Sequence, residues 1–309
     1  MTHETFKHPR GGIKDRLAIS FSGGRTSAMM TKMLLDEFAD TKDILITFAN
    51  TGLEHEKTLD FIDQCDREMF GGRVVWLEAV VHRGERKGTT HKVVDYQTAS
   101  RNGQPLTDVA EKYGIPNQNG SYCNREAKVN VMRSFLRSQG WGPGDYSTAV
   151  GIRNDEVDRV SVPSMKNGVF YPCIDNGITK AHVEAFWQAQ SFRLEIPEHY
   201  GNCVGCFKKS RRKLLTIARD DESFFDWHRK IEKMAAEGRM DAVRAADRKF
   251  FRGQLNSREL IDMAREGNFE RFVDGKFLAF DDEMDVGGGC GASCEIGADG
   301  CDVTEEDCI

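Results

Sequence analysis

The residues best suited to chemistry fall into four short groups. Ser22, Gly23, Gly24, Arg25, Thr26 and Ser27 form the first, a run of hydroxyls and glycines with one guanidinium. Glycines let backbone N–H groups approach an anion, hydroxyls add donors, and an arginine fork matches phosphate oxygens. Asn50, Thr51 and Gly52, followed by Glu54, form a second polar group. Gly151 and Arg153, followed by Glu156 and Arg159, form the third. Its two arginines suit a phosphate clamp, although Asp155, Glu156 and Asp158 offer them ordinary surface partners.

The fourth group is sulfur. Cys203 and Cys206 make a C-x-x-C pair in a turn, and Cys123 and Cys173 fall in other expected loops. Four thiolates can hold zinc tetrahedrally or carry a [4Fe–4S] cluster, and spacing does not choose between them. A reactive C-x-x-C with two unrelated buried cysteines is the alternative. Cys65, in a helix-like pattern, reads as an ordinary core residue. Lys208, Lys209, Arg211, Arg212 and Lys213 follow the pair directly. Such a run is either a solvated helix face or a basic patch that holds a nucleic-acid backbone and lowers nearby thiol pKa values. Cys290, Cys294, Cys301 and Cys308 match no defensible zinc spacing and stand as reactive-thiol candidates.

These groups need elements to position them. Residues 17–21 are an apolar run that reads as a strand, and residues 28–38 carry helical periodicity. The first group therefore sits in a glycine turn at a helix N-terminus, where unpaired N–H groups and the macrodipole favour anions. Residues 44–48 and 74–77 read as two further strands around a helix at 59–69. This alternation predicts a parallel, right-handed α/β sheet. In such sheets ligands bind beyond the carboxyl ends of the strands, where residues 22–27 and 50–54 both fall. Residues 82–121 are polar with weak periodicity and read as an insertion or long loop. Residues 126–136 read as a helix, 146–150 as a strand leading into Gly151, and 183–192 as an amphipathic helix. Helices at 211–218, 224–236, 241–251 and 257–266 complete the pattern. The expected organisation is an α/β unit over residues 1–215, a helical region over 216–285 and a Cys-rich acidic tail over 286–309.

Composition sets the class. The 309 residues are 39% hydrophobic and 30% charged, and no apolar run approaches the ~20 residues that span a bilayer. Residues 1–16 lack the apolar core of a signal peptide, so a cytoplasmic protein is expected, with its nine cysteines reduced or ligating metal. The net charge of −6 conceals an asymmetry. Ten acidic residues and no Lys or Arg lie between Asp281 and Ile309, which leaves 43 basic and 39 acidic residues in the body. The body is mildly basic, compatible with a phosphate-rich partner.

Together these motifs resemble the phosphoadenosine-phosphosulfate (PAPS) reductase-like family of adenine-nucleotide α-hydrolases. Residues 22–27 look like the pyrophosphate loop of that family, with Arg25-Thr26 where Lys-Asp is usual. Residues 48–52 with Glu54 resemble its second nucleotide-side motif, Gly151 to Arg159 its later arginine motif, and Tyr171-Pro172-Cys173 its YPI-DW segment. The resemblance implies a Rossmann-like (HUP-type) fold that binds ATP with Mg²⁺, with Arg25, Arg153 and Arg159 stabilising phosphate charge. Cys123, Cys173, Cys203 and Cys206 look like the four-cysteine branch that includes the ATP pyrophosphatase-like component of DNA phosphorothioation. That likeness implies a [4Fe–4S] cluster, with zinc as the alternative, and DNA or tRNA as an acceptor for sulfur. It also implies a donor such as a cysteine desulfurase. Similar loops occur in phage proteins. The oligomeric state is open, with a homodimer among the options. The expected activity is ATP-dependent, pyrophosphate-releasing sulfur transfer, with sulfonucleotide reduction and a nucleotide-binding regulatory subunit as alternatives.

Overall fold

The structure is a computed structural model and describes residues 12–84, 88–117, 120–241 and 249–274. The apolar runs become strands β1 (Arg16–Ser20), β2 (Asp43–Ala49) and β3 (Val74–Val81). They are joined by β4 (Thr89–Val94), β5 (Tyr146–Val150) and β6 (Val169–Phe170). The sheet order is β4-β3-β2-β1-β5-β6, parallel throughout except for the antiparallel edge strand β4. The chain leaves β1 toward β2 and β3, then returns to β5 on the opposite side. That reversal opens a crevice at the carboxyl end of β1, where Ser20 is in register with both Thr47 and Val150.

Helices cover both faces. α1 (Arg25–Phe38), α2 (Glu56–Cys65) and a later helix flank one face, while α3 (Gln104–Tyr113) and α4 (Asn130–Ser138) flank the other. The remaining helices are α5 (Lys180–Gln188), which joins α1 and α2, and α6 (Arg211–Asp220), α7 (Asp226–Ala236) and α8 (Ser257–Glu266) on the second face. Strand alternation divides the side chains between two hydrophobic layers. Leu17, Ile19, Phe48 and Trp76 enter the first layer, and Ala18, Ala49, Leu77 and Ala79 the second. The boundary read at residue 215 falls inside α6, and α6–α8 pack into the same second layer as the sheet. The chain is thus an α/β protein with a mostly parallel, Rossmann-like sheet.

Several elements differ from the sequence expectation. Residues 82–121 are more than a loop, because they contain β4 and α3. The helix expected from residue 126 begins earlier, at Tyr122–Asn124, and passes through a wide turn at Arg125–Val129 before α4. α5 lies three residues ahead of the helix expected at 183–192 and stops at Gln188. Most of the helix read at 241–251, and all of the tail with Cys290, Cys294, Cys301 and Cys308, lie outside the described residues. Among those residues no helix is long and apolar enough to cross a membrane.

Candidate phosphate pocket and thiol cavity

The glycine loop is where the sequence placed it, between β1 and α1. Gly23 has φ +78°, and a Cβ there would lie 2.6 Å from Ile62 Cδ1. Only glycine suits this backbone with α2 pressed against it. Gly24 is the N-cap of α1 and supplies no capping side chain. Hydroxyls brace the turn instead. Ser27 Oγ donates to Gly24 O at 3.1 Å, accepts from Ser22 N–H at 3.3 Å and lies 2.9 Å from Ser22 Oγ. The N–H groups of the first turn have no helical carbonyl to bond and remain available to an anion. From α5, the buried Trp187 donates Nε1–H to Arg25 O at 2.9 Å and fixes the start of α1.

β5 brings the second wall. Gly151 follows it so closely that a Cβ would stand 3.0 Å from Ser27 Cα. The chain then turns at Asn154–Arg159, where Glu156 receives the Arg153 N–H at 3.3 Å and pairs with the guanidiniums of both Arg153 and Arg159. Arg153 Nε also reaches Asp155 at 3.0 Å. Arg159 is mostly buried, and its Nε has no hydrogen-bond partner. Two guanidiniums beside a glycine loop suit an oxyanion ligand.

Ser22–Ser27, Gly151, Arg153 and Arg159 line one open pocket, with Lys180, Lys209 and Lys213 on its far side. Three carboxylates, Glu156, Glu184 and Glu198, stand among these cations. Glu184 on α5 holds Arg25 at 2.8 Å. The sequence-expected phosphate residues therefore assemble, with one exception. Asn50, Thr51 and Gly52 do not line this pocket. Asn50 is fully buried and spends its amide on Glu78 Oε1 at 2.6 Å and Ser100 O at 2.9 Å. Thr51 turns away toward sulfur.

A second cavity lies on the other side of the Gly201–Lys209 segment, lined by Cys123, Cys203 and Cys206 with Thr51, Lys128 and His228. Cys203 Sγ is 3.3 Å from Thr51 Oγ1 and 3.8 Å from Glu54 Oε1. Glu54 also accepts the Thr51 hydroxyl at 2.7 Å and approaches Lys128 Nζ at 4.0 Å. His228 packs under the C-x-x-C turn so tightly that a Cβ on Gly205 would meet its Cε1 at 2.3 Å. Burial lowers the His228 pKa to about 4, against a hydrogen bond with the Gly205 backbone that raises it.

The four expected metal cysteines are not brought together. Cys173 is fully buried in the first hydrophobic layer, while Cys123 packs against the second. Among the described residues no group of three or more His, Cys, Asp or Glu side chains is placed to hold a metal ion. The described residues therefore do not fit the expected [4Fe–4S] or zinc site.

The basic run also departs from an exposed strip. Lys208 and Lys209 are 7% and 4% exposed, and Arg211, Arg212 and Lys213 are half-buried. Lys209 donates Nζ to His199 O at 2.6 Å, Val204 O at 2.8 Å and Cys203 O at 3.0 Å. Its ammonium joins the rim of the pocket to the thiol turn. Cys65 is a buried core residue, as read from its helix.

The family model of the phosphoadenosine phosphosulfate reductase domain matches residues 16–161. The match includes the glycine loop and both arginines of the second wall, and ends before Cys173, Cys203 and Cys206. It supports a nucleotide-using enzyme. An uncharacterized nin region protein of Escherichia phage lambda is 29% identical over 282 residues, covering 90% of this chain and 94% of its own length. An uncharacterized protein of Methanocaldococcus jannaschii is 26% identical over 144 residues, covering 47% of this chain and 24% of its own.

Proposed function

We propose that this chain cleaves the α–β phosphate bond of ATP to activate an acceptor for sulfur transfer. One observation carries the reading: a single segment, residues 201–209, contributes Gly201, Asn202 and Lys209 to the phosphate pocket and Cys203, Cys206 and Lys208 to the three-cysteine cavity. The nucleotide lays its phosphates on Ser22–Ser27 and on Arg153 and Arg159, and Mg²⁺ arrives as its counterion. An acceptor oxygen attacks the α-phosphorus, and the α–β bridging bond breaks. Pyrophosphate leaves with the electron pair of that bond, and the proton passes to solvent. The arginines, fixed before the reaction, stabilise the charge that develops.

Sulfur then displaces AMP from the activated acceptor. Its source is a persulfide built on one of the cavity thiols by a desulfurase-type donor. The outer sulfur bonds the acceptor as AMP leaves. A second cavity thiolate then attacks the inner sulfur, the S–S bond breaks, and the outer sulfur stays on the acceptor. The disulfide formed between the two cysteines is reduced by an external thiol. DNA and tRNA remain the acceptor classes to try first.

The test supplies ATP with DNA or tRNA to the intact protein and measures pyrophosphate. Arg153→Ala should lower turnover by about 10²-fold or more, the scale of losing one preorganised charge-stabilising group. Sulfite released from a sulfonucleotide, with no pyrophosphate from ATP, would move the case to the reductase. Tight nucleotide binding without turnover would leave a regulatory subunit.

A further inference from the structure

The far side of the phosphate pocket carries a carboxylate that the reaction does not use. Residues 194–202 cross the rim as an irregular strap with one short turn at Glu198–Tyr200. Glu198 on that turn points at cations from two other elements. Its Oε2 lies 2.5 Å from Lys180 Nζ at the start of α5, and its Oε1 lies 3.9 Å from Lys213 Nζ on α6. Arg153 faces it as well. Burial alone would raise the Glu198 pKa, yet Lys180, Lys213 and Arg153 outweigh it and hold the carboxylate below its usual range.

Glu156 and Glu184, the other carboxylates of the pocket, serve the frame. Glu156 receives backbone as well as guanidinium groups of its own turn, and Glu184 anchors Arg25 of the glycine loop. Glu198 differs. The strap itself is held by the Glu198 backbone N–H on Asp274 at 2.9 Å and by the His199 carbonyl on Lys209. The carboxylate is thus free of any structural bond except to the cations it neutralises, among the contacts of the described residues.

We infer that Glu198 sets how much negative charge a ligand may carry in this pocket. It occupies, with its own carboxylate, the cations that an additional phosphoryl group would take. A ligand of low charge leaves it in place, and a ligand of high charge must compete with it. This inference rests on the proposal that the pocket binds phosphates.

Calorimetric titration of the full-length protein with adenosine, AMP, ATP and inorganic pyrophosphate tests it, using wild type, Glu198→Gln and Glu198→Asp. The glutamine keeps the shape of the side chain and removes its charge. Glu198→Gln should tighten ATP and pyrophosphate by roughly two- to fivefold, tighten AMP less, and leave adenosine unchanged, as expected for removing one partly solvated charge from an ion pair. Glu198→Asp should stay close to wild type, and the gain should shrink as salt rises. An equal change for all four ligands, or no change while wild type binds pyrophosphate, overturns the inference alone. Failure of both wild type and variants to bind ATP or pyrophosphate overturns the phosphate reading together with it.

Discussion

His228 shows what a single residue contributes beyond its contacts. Its ring is surrounded by Phe225, Trp227, Phe250 and Phe251, with Gly205 above it. Charging an imidazole there removes an ion from water with no opposite charge beside it, so the native state keeps it neutral down to about pH 4. In the unfolded chain the same ring takes its proton near 6.5. Between these values the unfolded state binds more protons, so stability must fall as pH falls. The full effect is on the order of 3 kcal/mol once pH drops below the lower value. His199, also lowered by burial with Asp274 opposing, adds in the same direction. The denaturant midpoint of wild type should therefore drop from pH 6.5 to pH 4, and His228→Phe should flatten most of that slope while keeping a ring in the aromatic nest. A variant with an unchanged slope would refute the assignment.

At the scale of elements, the strand–loop–helix unit of β1 and α1 is the part most plainly written in the sequence. A parallel strand covered on both faces must be apolar throughout, so β1, β2 and β3 show as runs. The glycines and hydroxyls between β1 and α1 have few other uses in so short a turn. β4 is less visible because it pairs on one side only, and its Thr89, His91 and Val93 alternate against a partly exposed face. α3 does carry Leu106, Val109 and Ala110 at helical spacing, but over a single buried stripe too short to stand out from its polar surroundings. Asn50 misled for another reason. Its partners, Glu78 and Ser100, are 28 and 50 residues away, and only the folded sheet brings them to it. The glycine loop invites a test that separates backbone from space. Gly71 and Gly23 both have positive φ, but a Cβ at Gly71 meets nothing within 4 Å. Gly71→Ala should cost about 1 kcal/mol of backbone strain and leave pyrophosphate binding intact. Gly23→Ala should cost more and weaken pyrophosphate by tenfold or greater, because Ile62 forces the loop to shift. Equal binding by both variants would mean the loop does not grip phosphate.

The whole molecule decides which cysteines can act together. Nothing in the linear order separates Cys173 from Cys123, Cys203 and Cys206, since each follows a plausible strand or turn. The sheet separates them. Cys173 lies in the first layer just after β6, in the cluster of Ile178, Val183 and Trp187, whereas the other three line a cavity bounded by Leu106 of α3, Lys128 and the α7 residues Trp227 and His228 on the second layer. Zinc or iron bonds to sulfur of about 2.3 Å leave no room for a ligand held in the opposite layer. Cys65 and Cys173 should accordingly resist alkylation in the native protein, while Cys203 and Cys206 react. Cys173→Ser should then place a hydroxyl in an apolar layer, costing about 1–3 kcal/mol of stability. It should leave the alkylation rates of Cys203 and Cys206 unchanged, together with the iron and zinc content of anaerobically purified protein. Mass spectrometry of the alkylated thiols and metal analysis read both results at once. If Cys173→Ser instead abolished bound iron along with Cys203→Ser and Cys206→Ser, the four cysteines would have to meet after all. The strap and the C-x-x-C turn would then need a second arrangement in which the two layers open toward each other.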